Sequence, residues 1–183
     1  MKILNLYAGI GGNRKLWGDE HEVTAVELDP KIATIYQDFF PNDKVVVGDA
    51  HQYLLEHFRE FDFIWSSPPC PTHSRIRYCN KNKVYPDMLL WQEIIFLQNW
   101  VKCKWVVENV IPYYKPLINP TAKLSRHNFW SNFDIKEIEF ESIDISRTKA
   151  DGIREFIGFD ASRQLVRNCV DPKIAKHIIS HIL

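Results

Sequence analysis

Cys70 stands directly behind two prolines, in the run Ser67-Pro68-Pro69-Cys70. Two prolines stiffen the backbone and hold the next side chain in a fixed place. A thiol presented this way is suited to nucleophilic addition, for which the thiolate is the active form. The following stretch, 71–86, carries His73, Arg75, Arg77, Lys81 and Lys83 and no acid. That positive field predicts a lowered thiol pKa. The alternative is an inert buried thiol. Glu108-Asn109 closes a second apolar run, Trp105-Val106-Val107, and is followed by Val110-Ile111. A carboxyl among such neighbours is expected to hold its proton longer and to act as a proton donor. A surface or helix-capping acid is the competing reading.

A second group of residues suits binding. The turn Tyr7-Ala8-Gly9-Ile10-Gly11-Gly12 follows the run ILNLY. Glycines there let backbone pass close to a ligand, though a tight turn needs them too. Glu27 ends the run VTAV, where a carboxylate can accept both hydroxyls of a ribose. Asp49 closes Val45-Val46-Val47-Gly48 and is placed to accept from an adenine amino group. A helix N-cap is the other role open to either acid. The spacing Gly-x-Gly-Gly departs from the dinucleotide fingerprint, and no second nucleotide-binding half follows. That favours adenosylmethionine over a nicotinamide dinucleotide.

These residues need a frame that brings them to one edge. Strands are predicted at 3–7, 23–26, 45–47, 61–65 and 105–107. Helical patterns alternate with them: a short stretch ending near Trp17, a run from Pro30 to Phe40, 51–59, and a strongly apolar 87–102. Such alternation implies parallel βαβ units in a doubly wound α/β sheet. Ligands bind such sheets at the carboxyl ends of the strands, where the glycines, Glu27, Asp49, Cys70 and Glu108 all fall. The second half is less regular. Apolar alternation within 129–146 predicts one or two strands, and 172–182 a closing helix with Pro172 near its start.

Composition narrows the function classes. The 183 residues carry 23 Lys plus Arg and 23 Asp plus Glu, a formal net charge of zero. Bulk charge therefore does not hold this chain to nucleic acid, and phosphate contacts must come from local patches. Hydrophobic residues at 45% exclude a disordered tail. The four cysteines form no CxxC pair, so reduced cytoplasmic thiols are expected and no metal site. The N-terminal apolar run breaks at Gly9, unlike a signal peptide, and no stretch is long enough to span a membrane.

In order along the chain stand NLYAGIGG, VELDP, VGDA, SPPC, VVENV and a late RNCV before a helix. Together they resemble the cytosine carbon-5 DNA methyltransferases over residues 3 to about 180. The resemblance implies one catalytic domain of the Rossmann-like methyltransferase type across 1–183, with S-adenosylmethionine as cofactor. It implies that Cys70 adds to carbon 6 of a flipped cytosine while Glu108 binds protonated ring nitrogen 3. Tyr7 through Gly12 would line the methionine part, Glu27 the ribose, and Asp49 with Ala50 the adenine. Leu28 would meet the adenine face, and Pro69, Asn168 and Val170 would complete the cofactor site. Asn109 would support the pocket. Amino-methylating DNA enzymes end their proline motif in tyrosine, so Cys70 separates the two chemistries.

The departures are local. The family follows its cysteine with Gln and an aromatic; here Pro71-Thr72-His73-Ser74 follow. The family's arginine motif is matched nearest by Ser125-Arg126-His127, with Arg126 expected on the cytosine and His127 its competitor. Arg75 and Arg77 are expected near phosphates, on a loop that closes over the base. Relatives insert a large target-recognition region where this chain has only 131–167, with Arg147, Lys149, Arg154 and Arg163 among them. A recognition segment so reduced resembles compact phage enzymes. It implies a short target in double-stranded DNA, or contacts lent by a homodimer or an accessory subunit. An RNA-acting relative shares the SPPC-like and ENV motifs, and a catalytically inactive nucleic-acid binder is the remaining alternative.

Overall fold

Five apolar runs form a parallel sheet in the computed structural model. The structure describes residues 1–74, 85–140, 149–158 and 160–183. The strands are β1 (Lys2–Leu6), β2 (Glu22–Glu27), β3 (Lys44–Val47), β4 (Phe63–Ser66) and β5 (Lys104–Val110), with β6 (Ala122–Leu124) and β7 (His127–Ser131) added beyond β5. Their order is β3-β2-β1-β4-β5-β7-β6, and β7 runs antiparallel to both its neighbours. The winding reverses between β1 and β4, so the loops after these two strands diverge and leave a crevice at their carboxyl ends.

Both faces of the sheet are covered, which is why the strands read as continuous apolar runs and not as alternating ones. Leu4, Leu6, Ile64, Val107 and Trp130 pack with Leu54 of α2 (Ala50–His57) and with Leu90, Trp91, Ile94 and Leu97 of α3 (Leu89–Trp100). Ile3, Phe63, Trp65, Val106 and Phe129 pack with Ile174, Ala175, Ile178 and Ile179 of α6 (Pro172–Ile179). In α1 (Pro30–Phe39), Pro30 occupies the first turn and Asp29 caps the Lys31 N–H at 2.8 Å. The stretch expected to be helical before Trp17 is one 3-10 turn, Arg14–Leu16. It is anchored by polar groups: Asn13 donates to Asn5 at 2.7 Å and Arg14 pairs with buried Asp43 at 2.8 Å. The hydroxyl of Tyr36 donates to the same carboxylate at 2.8 Å.

The second half differs from the pattern read in the sequence. The strands there are β6 and β7, and β7 begins at His127, within the stretch matched to the arginine motif. The alternating run after them is not a strand in its described part, through Phe140; 141–148 lies outside the described residues. β6 already occupies the edge beside β7, and of the run's apolar residues Ile135 is buried while Ile138 is exposed. With no single buried face, period-2 alternation has no side to present to the core. Within 131–167 the described elements are two short helices, α4 (Ala150–Ile157) and α5 (Arg163–Asn168). Among the described residues no helix is long and apolar enough to cross a membrane.

Candidate active site

Ser66 of β4 is paired with Val107 of β5, so Ser67, the first residue past β4, lies beside Glu108, which stays in β5 opposite Phe129 of β7. The Ser67 side chain hydrogen-bonds the Glu108 carboxyl and also takes the Trp65 indole N–H at 2.9 Å. Asn109 is buried, and its amide donates to the Pro68 carbonyl at 2.9 Å, tying the proline turn to β5. The chain then doubles back, with the N–H groups of His73 and Ser74 donating to the Cys70 carbonyl at 3.0 and 3.1 Å. This turn leaves Cys70 half-buried beside Glu108.

The electrostatics follow from burial. Glu108 is 6% exposed, and desolvation pushes its pKa up to about 7. The Ser67 hydrogen bond and the charge of Arg126 work against that rise. A carboxyl in this state is half protonated near neutral pH and able to deliver a proton. His127, opposite Val110 in the register, sits with Nε2 3.4 Å from a Glu108 oxygen. Burial, helped by Arg126, pushes its pKa down to about 3, so the ring is neutral. Its Nδ1 has no hydrogen-bond partner among the described residues. Arg126 donates to the carbonyls of Arg167 and Cys169 at 3.1 and 3.5 Å, and its charge lowers the pKa of both Cys70 and Glu108.

The expected lowering of the Cys70 pKa is corrected. Burial, then the Glu108 charge, raises it, and Arg126 only offsets part of this. His73, counted among the positive neighbours, is buried, and desolvation lowers its pKa. Its Nδ1 lies 2.5 Å from the Tyr114 hydroxyl. Arg75, Arg77, Lys81 and Lys83 lie outside the described residues.

The other cluster lies at the ends of β1, β2 and β3. Glu27 accepts from the Gly9 N–H at 2.9 Å and from the Asp29 N–H at 3.0 Å, bridging the glycine turn and the start of α1. Asp49 caps α2 through the Gln52 N–H at 2.8 Å, the capping role left open by its sequence. Ala50 is buried behind it, while Leu28 and Pro69 are exposed. The three glycines divide by what surrounds them. A Cβ on Gly9 (φ +55°) would enter open space. A Cβ on Gly11 (φ +83°) would lie 2.3 Å from the Phe40 ring, and one on Gly12 2.5 Å from Cys169 Cβ. Gly11 and Gly12 therefore serve packing, and Gly9 alone of the three leaves room for a ligand. Ala8 and Ile10 are buried, Ile10 among Val166 and Cys169. Val170 is in the core beneath the sheet, and Asn168 is exposed.

Glu93, on α3, went unnoticed in the sequence. It lies three residues after Leu90 and four before Leu97, on the face those two bury, so an acid in that phase was the available signal. Among the described residues no three His, Cys, Asp or Glu side chains gather to hold a metal ion.

Residues 1–136 match the family model of the C-5 cytosine-specific DNA methylases. No curated protein sequence matches the chain. A Spodoptera frugiperda DNMT2 mutant structure is 28% identical over 60% of this chain and 35% of its own, with a TM-score of 0.42. A SAM-dependent methyltransferase from Agrobacterium tumefaciens is 15% identical over 62% of this chain and 40% of its own, with a TM-score of 0.47. A protein described as a DNA modification methyltransferase of an E. coli prophage is 19% identical, over 63% and 33%, with a TM-score of 0.42. The chain thus spans about a third of the length of the DNMT2 structure it matches. On the family match, which takes in both Cys70 and Glu108, the chain belongs to the C-5 cytosine-specific DNA methylase family.

Proposed function

We propose that this protein methylates carbon 5 of cytosine in DNA, with S-adenosylmethionine as the methyl donor. The observation that carries this reading is a half-buried thiol beside a buried carboxyl whose pKa is raised to about 7, with Arg126 acting on both. Cytosine carbon 5 is a poor nucleophile. Addition of the Cys70 thiolate to carbon 6, with the Glu108 proton passing to ring nitrogen 3, makes carbon 5 electron-rich. Once carbon 5 has taken the methyl group, loss of its proton and expulsion of the thiolate restore the aromatic ring, and return of the nitrogen-3 proton to Glu108 restores the free enzyme. The base must leave the duplex to reach this site.

The residues present fit the cofactor. Gly9 opens onto free space, and Glu27 and Asp49 stand at adjacent strand ends. Each carboxylate oxygen has two acceptor positions, so Glu27 keeps capacity for ribose hydroxyls after its two backbone bonds. When bound, adenosylmethionine supplies an electrophilic methyl group. On this reading Tyr7, Gly9, Leu28 and Pro69 would line the cofactor, while Gly11 and Gly12 hold the turn against Phe40 and Cys169 and Val170 supports it from the core. The free thiols Cys70, Cys103 and Cys169 suit a reducing compartment such as the cytoplasm.

The short 131–167 segment limits base reading, since specific DNA interfaces bury about 1,000 Å² or more of protein. We assign this protein a target of about two to four base pairs, with further contacts from a second copy or an accessory subunit. The deciding experiment is tritiated methyl transfer from adenosylmethionine to DNA and RNA panels, with bisulfite sequencing of the product. Methyl-5 cytosine in DNA is the expected result. Labelling of RNA alone makes the substrate RNA, and no labelling of either overturns the enzyme reading.

A further inference from the structure

Glu93 is 1% exposed, and three side chains converge on its carboxylate. The Tyr7 hydroxyl donates to Oε2 at 2.8 Å, the Ser66 hydroxyl donates to Oε1, and His51 Nδ1 lies 3.3 Å from Oε2. Each comes from a different strand end. Tyr7 opens the glycine turn after β1, Ser66 ends β4 just before the proline turn, and His51 lies in the first turn of α2 behind Asp49. The carboxylate itself rises from α3, the helix that follows the β4 loop and is distant in sequence from the β1 and β3 loops. Tyr7 also has φ +55°, a left-handed backbone that a non-glycine residue adopts only when its surroundings impose it. The bond from its hydroxyl to Glu93 is such a constraint.

We propose that Glu93 is a positioning residue for the cofactor: one buried carboxylate that pins the β1, β3 and β4 loops in the arrangement adenosylmethionine needs. This rests on the cofactor reading above. Glu93 itself touches no cofactor. A buried carboxylate must be matched by donors, and here the donors are supplied by the loops that form the crevice. Satisfying the charge and shaping the site are then one event. Desolvation, then Glu93, raises the Tyr7 pKa, which keeps the phenol a donor. The hydrogen bond to Glu93 raises the His51 pKa against desolvation, with the Glu93 and Asp49 charges adding to the rise. Gln92 Nε2, 3.4 Å from His51 Nε2, faces the ring from the other side.

The test is calorimetry of adenosylmethionine with the full chain as wild type, Glu93→Gln, Tyr7→Phe, Ser66→Ala and the double variant Tyr7→Phe/Glu93→Gln. Glu93→Gln is expected to weaken cofactor binding about tenfold or more. KM for adenosylmethionine should rise in step, with kcat at saturating cofactor down no more than about threefold. Tyr7→Phe should weaken binding severalfold alone and add less than twofold in the double variant, since coupled residues are not additive. In NMR titrations the His51 pKa should fall in Glu93→Gln. A Glu93→Gln protein that binds with wild-type affinity overturns the proposal, as does full additivity with Tyr7→Phe. If Glu93→Gln does not fold, Tyr7→Phe and Ser66→Ala decide it: unchanged affinity in both overturns the proposal. A wild type that takes up no adenosylmethionine overturns the cofactor reading itself; a wild type that binds while Glu93→Gln binds equally well removes only Glu93.

Discussion

The two halves of the sheet edge treat their polar groups in opposite ways. At the ends of β1, β2 and β3, Glu27 and Asp49 accept backbone N–H groups at 2.8–3.0 Å. At the ends of β4, β5 and β7, burial outweighs hydrogen bonding. Glu108 is pushed up to about 7, His127 down to about 3, and the Cys70 thiol is raised. The first half is matched before any ligand arrives, and a matched site binds with little reorganisation. In the second half burial displaces Glu108 towards the working pH, where proton transfer is effective, while it keeps His127 neutral and raises the Cys70 thiol. Binding and chemistry are separated along one sheet edge, and the difference is one of solvation.

The largest effect that would test this division is at Cys70. Cys70→Ala is expected to reduce methyl transfer to background while leaving adenosylmethionine affinity within about twofold. Trapping with 5-fluorocytosine DNA should give a covalent adduct in wild type only. An adduct in Cys70→Ala would place the nucleophile elsewhere.

Glu108→Gln is next. Single-turnover transfer should slow by about 100-fold or more, the usual scale for a lost acid–base group. The same substitution has a signature in stability. The folded pKa of Glu108, about 7, lies above its unfolded value near 4.5. The protonated carboxyl therefore favours the fold at low pH, and this advantage is lost as pH rises from the unfolded value through about 7. Glu108→Gln should thus melt higher than wild type at pH 8, by up to about 3 kcal/mol, and the gain should vanish near pH 4. A gain independent of pH would mean that the carboxyl is not held protonated.

Glu27→Ala should act only in the other half. It frees the N–H groups of Gly9 and Asp29 and should weaken adenosylmethionine by about 1–3 kcal/mol in calorimetry. Transfer at saturating cofactor should change little; a large fall in that rate would erase the boundary between the halves. The smallest effect expected is from Arg126→Ala. Without its charge the Cys70 and Glu108 pKa values both rise further, so at pH 7 transfer should fall about tenfold and recover partly at pH 8.5. A flat pH response would limit Arg126 to holding the Arg167 and Cys169 carbonyls.

Much of the first half was legible in the sequence. The parallel strands β1, β2, β4 and β5 bury both faces, so each leaves a short apolar run, and the residues that close those runs are the residues at the sheet edge. Pro30 and Asp29 mark the start of α1 by the same local logic. The sequence placed Cys70 and Glu108 on one sheet edge, and the pairing of β4 with β5 brings them together. The small strands β6 and β7 were not legible, because His127–Ser131 buries all five residues and carries polar ones among them.

Sequence by itself therefore determined the five parallel strands, the order of the motifs and the chemical types at the strand ends, since periodicity and side-chain chemistry are local. Tertiary structure decided what those types become. It set the direction of the Cys70 shift, because desolvation depends on what closes over the thiol and not on charges nearby in the chain. It assigned Gly11 and Gly12 to packing and Gly9 to open space, because only folding brings Phe40 and Cys169 to within 2.3 and 2.5 Å of where a Cβ would stand. And it gathered Tyr7, Ser66 and His51 around Glu93, since a buried carboxylate draws its donors from wherever in the chain the fold delivers them.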